Sequence, residues 1–150
     1  MAGNSALDRD ETDAGRDTAE SALTGTRLAF VGGGVMAELM IAGLLTQDLV
    51  AAQQIVASHP RQDRRQRLAD RFGIEAVEAN REAALGADLV FLTVKPQVLA
   101  AIMTQLHGRL EPSQVAVSVV AGASIATLSR GLGHAAIVRV MPNTPAQIGA

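Results

Sequence analysis

Three consecutive glycines, Gly32, Gly33 and Gly34, open the segment whose residue types point most directly to a ligand. Together with the next three residues, Val35, Met36 and Ala37, they match the pattern G-x-G-x-x-A. In this pattern the first glycine permits a tight turn, the second lets a diphosphate approach the backbone, and the alanine keeps a helix close to a sheet. The start of that helix would direct free N–H groups and a positive dipole end at the phosphates. The motif therefore predicts a dinucleotide site.

The motif is informative only between a strand and a helix, and the neighbouring sequence predicts both. Residues 27–31 form a short apolar run that ends at the first glycine, which is typical of a strand. Residues 35–45 are small or apolar nearly all round the helical wheel, which predicts a largely buried helix. An ordinary flexible turn is the alternative interpretation of the glycines, and this context disfavours it.

Strands and helices are predicted to alternate along the rest of the chain. The further strands are expected at 54–57, 74–77, 88–94, 115–120 and 136–140, and the helices at 61–72, 80–85, 96–106 or 96–110, and 125–132. The residues expected to begin or end these helices are the N-caps Asn80 and Ser124, Pro96 in a first turn, and the glycines Gly73 and Gly86. Strand 88–94 is continuously apolar, as in a strand covered on both faces. The alternation predicts an α/β fold, a doubly wound parallel sheet of Rossmann type in the order 3-2-1-4-5-6.

The end of the second predicted strand indicates which dinucleotide binds. An NAD site has a carboxylate there, which accepts hydrogen bonds from the ribose hydroxyls. Here Ser58 can donate to a 2′-phosphate and Arg61 can pair with it, and no acid occurs before Asp63. We therefore predict NADPH as the cofactor, with NADH as the alternative. The other interpretation of Arg61 is a solvated helix face, which is the favoured interpretation for Arg64, Arg65 and Arg67.

Three later strand ends combine small residues, prolines and polar side chains, and ligands of doubly wound folds lie outside such ends. The segments are Val94-Lys95-Pro96, Val120-Ala121-Gly122-Ala123-Ser124 and Met141-Pro142-Asn143-Thr144-Pro145. Small residues let a flat ring approach closely, and Asn143 and Thr144 can hydrogen-bond an amide or carboxylate. Turn chemistry would explain each segment singly. Together they predict a nicotinamide site.

The histidines do not predict a metal site. His59 follows the second strand, where it either lies over an adenine or is a surface residue without a role. His107 and His134 are remote from any cluster of possible ligands, and we interpret both as structural or solvent-exposed.

The composition excludes several other classes of function. The 150 residues include no cysteine, which removes disulfides, zinc–thiolate sites and thiol nucleophiles. Without Trp or Tyr, and with a net charge of −2, nothing favours nucleic-acid binding. No apolar run approaches the roughly 20 residues that cross a bilayer. Residues 1–25 are polar and acidic, so we expect a disordered tail, or alternatively a docking arm, before a single domain at 26–150 in the cytoplasm.

Four segments resemble pyrroline-5-carboxylate reductase, the last enzyme of proline biosynthesis, in the order and spacing of that family. They are Phe30-Val31-Gly32-Gly33-Gly34-Val35-Met36-Ala37, Leu92-Thr93-Val94-Lys95-Pro96-Gln97, Ala121-Gly122-Ala123-Ser124-Ile125 and Arg139-Val140-Met141-Pro142-Asn143-Thr144-Pro145-Ala146. The resemblance implies an NADPH-dependent oxidoreductase. Its substrate would be a small-molecule imine, 1-pyrroline-5-carboxylate, reduced at the C=N bond to L-proline.

The resemblance also implies roles for individual residues. The glycine loop with Val35 and Met36 would hold the diphosphate, and the adenosine end would contact Ser58, Arg61 and Asn80. The nicotinamide ribose and ring would lie against Val94, Lys95, Pro96, Ala121 and Gly122, and the reaction centre would face Asn143 and Thr144. No catalytic acid or base is assigned. Val35 departs from the polar residue frequent in the family, which would alter one phosphate or water contact.

Members of that family continue into an all-helical domain that binds substrate and forms most of a homo-oligomeric interface. No such domain follows within these 150 residues, so the resemblance implies the cofactor-binding half, inactive alone. Two alternatives remain open. One is a related NADP-dependent domain, such as a deazaflavin-dependent NADP reductase or a 3-hydroxyacid dehydrogenase. The other is a non-catalytic NADP-binding module.

Overall fold

The computed structural model of the chain describes residues 22–141. The strands are β1 (Leu28–Val31), β2 (Ile55–Ser58), β3 (Glu75–Val77), β4 (Leu89–Leu92), β5 (Val115–Ser118) and β6 (Ile137–Arg139). The helices are α1 (Val35–Thr46), α2 (Gln62–Phe72), α3 (Asn80–Ala84), α4 (Pro96–Leu106) and α5 (Ile125–Leu132), with a short 3₁₀ helix at Ala52–Gln54. All strand pairs are parallel, and the sheet order β3-β2-β1-β4-β5-β6 confirms the doubly wound fold.

The central strand β1 lies between two hydrophobic cores. Its residues alternate between the sheet faces, as side chains of a strand must. Leu28 and Phe30 pack in one core with residues of α1 and α2. Ala29 and Val31 pack in the other with residues of α3, α4 and α5. The sheet is thus the middle layer between two layers of helices, and these layers position the start of each helix beside the end of a strand.

Helix α1 is less buried than its composition predicts. Only Ala37, Glu38 and Ile41 are buried, whereas Val35 is 68% and Leu39 42% exposed. The prediction of a largely buried helix was therefore wrong. The apolar residues around a helix indicate which of its faces can be buried, but the neighbouring elements determine which of them are buried.

Strand β4 is also covered unevenly. Val90 and Leu92 are buried, whereas Leu89 and Phe91 are half-buried. Phe91 stacks on Phe30, with ring centroids 4.7 Å apart. The expectation of full cover on both faces is therefore only partly met.

Several predicted helix ends are confirmed. The Ser124 hydroxyl accepts a hydrogen bond from the Thr127 N–H at 3.1 Å, as an N-cap does. Gly73 ends α2 in the left-handed conformation, with φ of 69°, and Pro96 is the first residue of α4. These helix ends could be predicted from the sequence because each depends on residues only a few positions apart.

The chain already contacts the domain before β1. Leu23 packs against the core beneath α1 and α2, and its carbonyl oxygen accepts a hydrogen bond from Gln54 Nε2 at 2.8 Å. The rest of the predicted tail, residues 1–21, lies outside the described residues. None of the helices within 22–141 is long and apolar enough to cross a membrane.

Candidate functional site

The carboxyl ends of four strands meet at one edge of the sheet. Val31 aligns with both Ser58 and Leu92, and Leu92 aligns with Ser118. The strand order reverses between β1 and β4, which creates the crevice where doubly wound proteins bind ligands. A cleft of about 680 Å³ lies there. The site predicted from the sequence and the cleft therefore coincide in position.

Some of the predicted site residues line this cleft directly, namely Gly32, Gly34, Ser58, Asn80, Val94 and Lys95. The other predicted residues do not line it, namely Gly33, Val35, Met36, Arg61, Pro96, Ala121 and Gly122. Asn143 and Thr144 lie outside the described residues. One wall was not predicted, and it is formed by Val98, Ala101, Ile102 and Gln105 of α4. Their spacing places them on one helix face, so a helical-wheel reading of α4 could have found them.

Gly32 makes the tight turn out of β1. Its φ of +100° lies in a region that favours glycine. A Cβ there would lie 2.6 Å from Val94 Cγ1 and 3.0 Å from the Val94 backbone nitrogen. The Thr93 hydroxyl donates to the Gly32 carbonyl oxygen at 2.7 Å, which ties the turn to the end of β4. The backbone around Gly32 therefore leaves no room for a side chain.

Gly33 is also packed against the fold, whereas Gly34 is open. The Gly33 N–H donates to the Ser58 carbonyl oxygen at 2.7 Å, and a Cβ on Gly33 would lie 2.6 Å from Leu68 Cδ1. A Cβ on Gly34 would meet nothing within 4 Å, although Gly34 lines the cleft and precedes the first turn of α1. This empty space beside a helix N-terminus fits a diphosphate held by backbone N–H groups.

Arg64 contacts the backbone of the glycine loop, a role that was not predicted from the sequence. Its Nε donates to the Gly33 carbonyl oxygen at 3.2 Å, and its Nη2 lies 3.2 Å from Glu38 Oε1. Arg67 and Arg71 approach the same carboxylate at 3.2 and 3.5 Å. The interpretation of Arg64 as part of a solvated face was wrong, because only 17% of its side chain is exposed. The spacing of these arginines, three and four residues apart, could have indicated a shared helix face turned toward an acid.

A chain of hydrogen bonds crosses the end of the cleft that is predicted to hold the adenosine, which is called the adenosine end below. The Ser58 hydroxyl donates to Asn80 Oδ1, and Asn80 Nδ2 donates to Gln105 Oε1, each at 2.7 Å. Asn80 is the first residue of α3 and Ala79 its N-cap, so the predicted capping by Asn80 was wrong. The Asn80 side chain is instead directed across the cleft, where it orients Ser58.

Arg61 lies at the rim of this end. Its Nε donates to Asp63 Oδ1 at 3.0 Å, and 68% of its side chain is exposed. The guanidinium holds the pKa of the Asp63 carboxyl below its ordinary value. To contact a 2′-phosphate, Arg61 would exchange this exposed partner for the phosphate. Such an exchange costs little because an exposed ion pair is weak.

His59 lines the cleft between the glycine loop and α2. Its Nδ1 accepts a hydrogen bond from the Arg61 backbone N–H at 3.1 Å. Burial and then the charge of Arg64 lower the pKa of His59 from its ordinary 6.5. The neutral ring is therefore favoured, and it can contact a base without adding a charge.

The opposite end of the cleft is formed by residues that follow β4. Val94 and Lys95 line it, and Pro96 begins α4 beside them. Ala121 and Gly122 follow β5 at the same sheet edge, where both are exposed and Gly122 has φ of +79°. The backbone here is accessible to a flat ring.

The remaining histidines have structural contacts. His134 is buried, and its Nε2 lies 2.6 Å from the Gln114 carbonyl oxygen. His107 Nδ1 lies 2.9 Å from the Gly131 carbonyl oxygen, to which it donates. Within the described range 22–141, no cluster of His, Cys, Asp and Glu side chains could hold a metal ion.

A doubly wound sheet with a glycine loop at its switch point defines a dinucleotide-binding protein of Rossmann type. The comparison with family models agrees with this class. Residues 27–122 match the family described as NADP oxidoreductase, coenzyme F420-dependent, and the chain belongs to that family.

Individual relatives are more specific. The chain is 46% identical to pyrroline-5-carboxylate reductase of Pseudomonas aeruginosa over 121 residues, which are 80% of this chain and 44% of the relative. It is 36% identical to the Escherichia coli enzyme over 125 residues, which are 83% and 46% of the two chains. A solved pyrroline-5-carboxylate reductase from Coxiella burnetii superposes with a TM-score of 0.76 and 31% identity, over 83% of this chain and 47% of that one. The resemblance stated from the sequence is thereby confirmed, and the chain spans less than half the length of these relatives.

Proposed function

We propose that this chain is the cofactor-binding half of an NADPH-dependent enzyme that reduces 1-pyrroline-5-carboxylate to L-proline. The observation that carries the proposal is the open space at Gly34, beside the start of α1 and inside the cleft. The relatives named for this reaction and the NADP family assignment support it. At the adenosine end, β2 finishes in Ser58 rather than in a carboxylate, which favours NADPH over NADH.

When bound, NADPH supplies the hydride for the C=N carbon. The glycine loop, with Val35 and Met36, would hold its diphosphate, and Ser58, Arg61 and Asn80 would hold its adenosine end. The nicotinamide end would lie against Val94, Lys95 and Pro96, together with Ala121 and Gly122. Asn143 and Thr144 would face the reaction centre. The contribution of this chain is positioning, which converts a bimolecular step into an effectively unimolecular one.

The cofactor assignment is tested by measuring the affinity of the chain for NADPH and NADH by titration. Ser58→Ala and Arg61→Ala should each weaken NADPH binding more than NADH binding, because only NADPH carries the 2′-phosphate. Arg27→Ala is the matched control, since Arg27 lies ahead of β1, away from the cleft lining. Equal losses for the two cofactors would contradict the assignment.

The reaction is tested by fusing the chain to the remaining C-terminal part of the Pseudomonas aeruginosa relative. The fusion should oxidise NADPH when 1-pyrroline-5-carboxylate is added, whereas the 150-residue chain alone should bind NADPH without turnover. Rapid proline formation by the 150-residue chain alone would refute the proposal that this chain contains only the cofactor-binding half of the active site. A folded fusion that binds NADPH but never turns over would favour the non-catalytic module.

The family description favours a second candidate, reduction or oxidation of a deazaflavin with NADP. The same fusion assayed with the reduced deazaflavin and NADP⁺ distinguishes the two reactions. Turnover with the deazaflavin and none with the imine would replace the first proposal.

Three further expectations belong to this proposal. The enzyme would act in the cytoplasm, it would form a homo-oligomer through a helical domain, and the part of the predicted tail before Ala22 would be disordered and would leave turnover unchanged when removed. Sedimentation of the fusion and the activity of a variant that starts at Ala22, which keeps the contacts of Leu23, would test the last two.

A further inference from the structure

A second cavity, of about 560 Å³, lies next to the adenosine end of the cleft; it is open to the surface, and six of its seven lining residues are exposed. Its lining includes Arg81 of α3, Gln105 of α4, Arg109 and Arg130, with Arg130 on α5. Arg81 and Gln105 line both spaces, so they form the partition between the cavity and the cleft. His107 adds an imidazole, and no carboxylate of residues 22–141 lines the cavity.

The guanidinium groups of this cavity are unpaired within the described part of the chain. The side chains of Arg81, Arg109 and Arg130 have neither a hydrogen-bond acceptor nor an ion-pair partner among residues 22–141. The arginines of α2 differ, because their side chains contact Glu38, Gly33 or carbonyl oxygens near His59. Three residues with permanent positive charges therefore line one space in a chain whose net charge is −2.

Gln105 adds a neutral donor to this cluster. Its Oε1 accepts from Asn80 Nδ2 at 2.7 Å, which fixes the orientation of the amide. With the oxygen occupied, its NH₂ group remains able to donate. The groups available to a ligand are thus mainly donors, and most of them are positively charged.

We propose that this cavity binds a phosphate-bearing small-molecule anion, with its phosphoryl oxygens held by Arg81, Arg109 and Arg130. Guanidinium groups match phosphate oxygens in a fork geometry, and such charge-assisted bonds are roughly twice as strong as neutral ones. The volume lies within the range of small-molecule sites, about 300–1,000 Å³, and exceeds the space that one inorganic phosphate fills. The site is separate from the glycine loop, so it does not depend on the proposed reaction.

The test is a titration of the isotopically labelled chain with inorganic pyrophosphate, followed by the backbone amide NMR signals of each residue. Saturable shifts are expected at Gln105, His107, Arg109, Arg130 and Gly131. Pyrophosphate can also bind at the glycine loop, and residue-resolved signals at Gly33 and Gly34 report that event separately.

Arg109→Gln and Arg130→Gln remove guanidiniums that line only this cavity. Each should weaken pyrophosphate binding at the cavity by about tenfold, as expected for one charge-assisted hydrogen bond, and leave binding at the glycine loop unchanged. Arg27→Gln removes an equal charge elsewhere and should have little effect. The proposal would be overturned by NMR shifts confined to the glycine loop, or by a loss of pyrophosphate affinity in Arg27→Gln as large as in the two cavity variants. Two cavity variants are used so that misfolding of one does not leave the proposal untested.

Discussion

The inner and outer parts of the glycine loop obey different constraints. At the inner part, the space for a side chain on Gly32 and Gly33 is filled by Val94 and Leu68 of the protein itself. At the outer part, Gly34 faces open space at the start of α1. One motif of three glycines thus contains two positions that the fold requires and one that it does not. Under the proposed function a bound diphosphate would explain Gly34, because no protein atom competes for its space.

The largest effect is expected for Gly32→Ala, which should lower the free energy of unfolding by about 2–5 kcal/mol. The alanine must adopt a positive φ, which costs about 1–2 kcal/mol, and its Cβ must displace Thr93 and Val94, which follow β4, at about 1–3 kcal/mol. Urea denaturation measures the loss. Gly43→Ala is the control, since Gly43 lies within α1 with nothing near its Cβ position, and it should stabilise the chain by about 0.5–1 kcal/mol. Equal stability of the Gly32→Ala chain and the wild type would remove the distinction between the two parts of the loop.

Gly34→Ala should leave stability within about 0.5 kcal/mol of the wild type. It should weaken NADPH binding by about tenfold to a hundredfold, because the new Cβ occupies the space proposed for the diphosphate and overpacking costs about 1–3 kcal/mol. Thermal denaturation and cofactor titration on the same preparation separate the two effects. Unchanged affinity would mean that the diphosphate binds elsewhere.

Arg64→Gln tests the inner part of the loop by removing a hydrogen bond to it without adding atoms to the loop. Loss of the contact with the Gly33 carbonyl oxygen should weaken NADPH binding by about fivefold, since the loop must then be ordered by the cofactor. Arg67→Gln is matched, because Arg67 shares the Glu38 carboxylate but has no contact with the loop. If both variants lose affinity equally, the effect comes from the charge cluster rather than from the loop contact.

The smallest effect concerns pH. The pKa of His59 is lowered by burial and by Arg64, so the folded chain binds this proton less readily than the unfolded chain does. Stability should therefore decrease slightly as the pH falls below 6.5, the ordinary value, and become level below the folded pKa. Well above 6.5 the histidine is neutral in both states and adds no pH dependence. The difference in melting temperature between the wild type and His59→Gln should therefore be constant above 6.5 and change below it; a constant difference across the whole range would contradict the prediction.

The sequence alone was sufficient for the fold and for the location of the cleft. The strand before Gly32, the helix after Gly34 and the alternation of elements depend on short-range patterns, and the structure reproduces them with the predicted strand order. The caps at Ser124 and Gly73 are predictable for the same reason. The end of β2 at Ser58 could also be located, because a parallel sheet brings strand ends to one edge.

Only the tertiary structure showed which distant groups meet. Asn80 reads locally as a helix cap, but it bonds Ser58, 22 residues away, and Gln105, 25 residues away. Arg64 reads as a solvated charge, but it contacts a carbonyl oxygen 31 residues away. The exposed face of α1 and the arginine-lined cavity likewise depend on how whole elements pack. Hydrophobic periodicity determines which elements form, whereas the partner of a polar side chain is set by the packing of those elements, which no local pattern records.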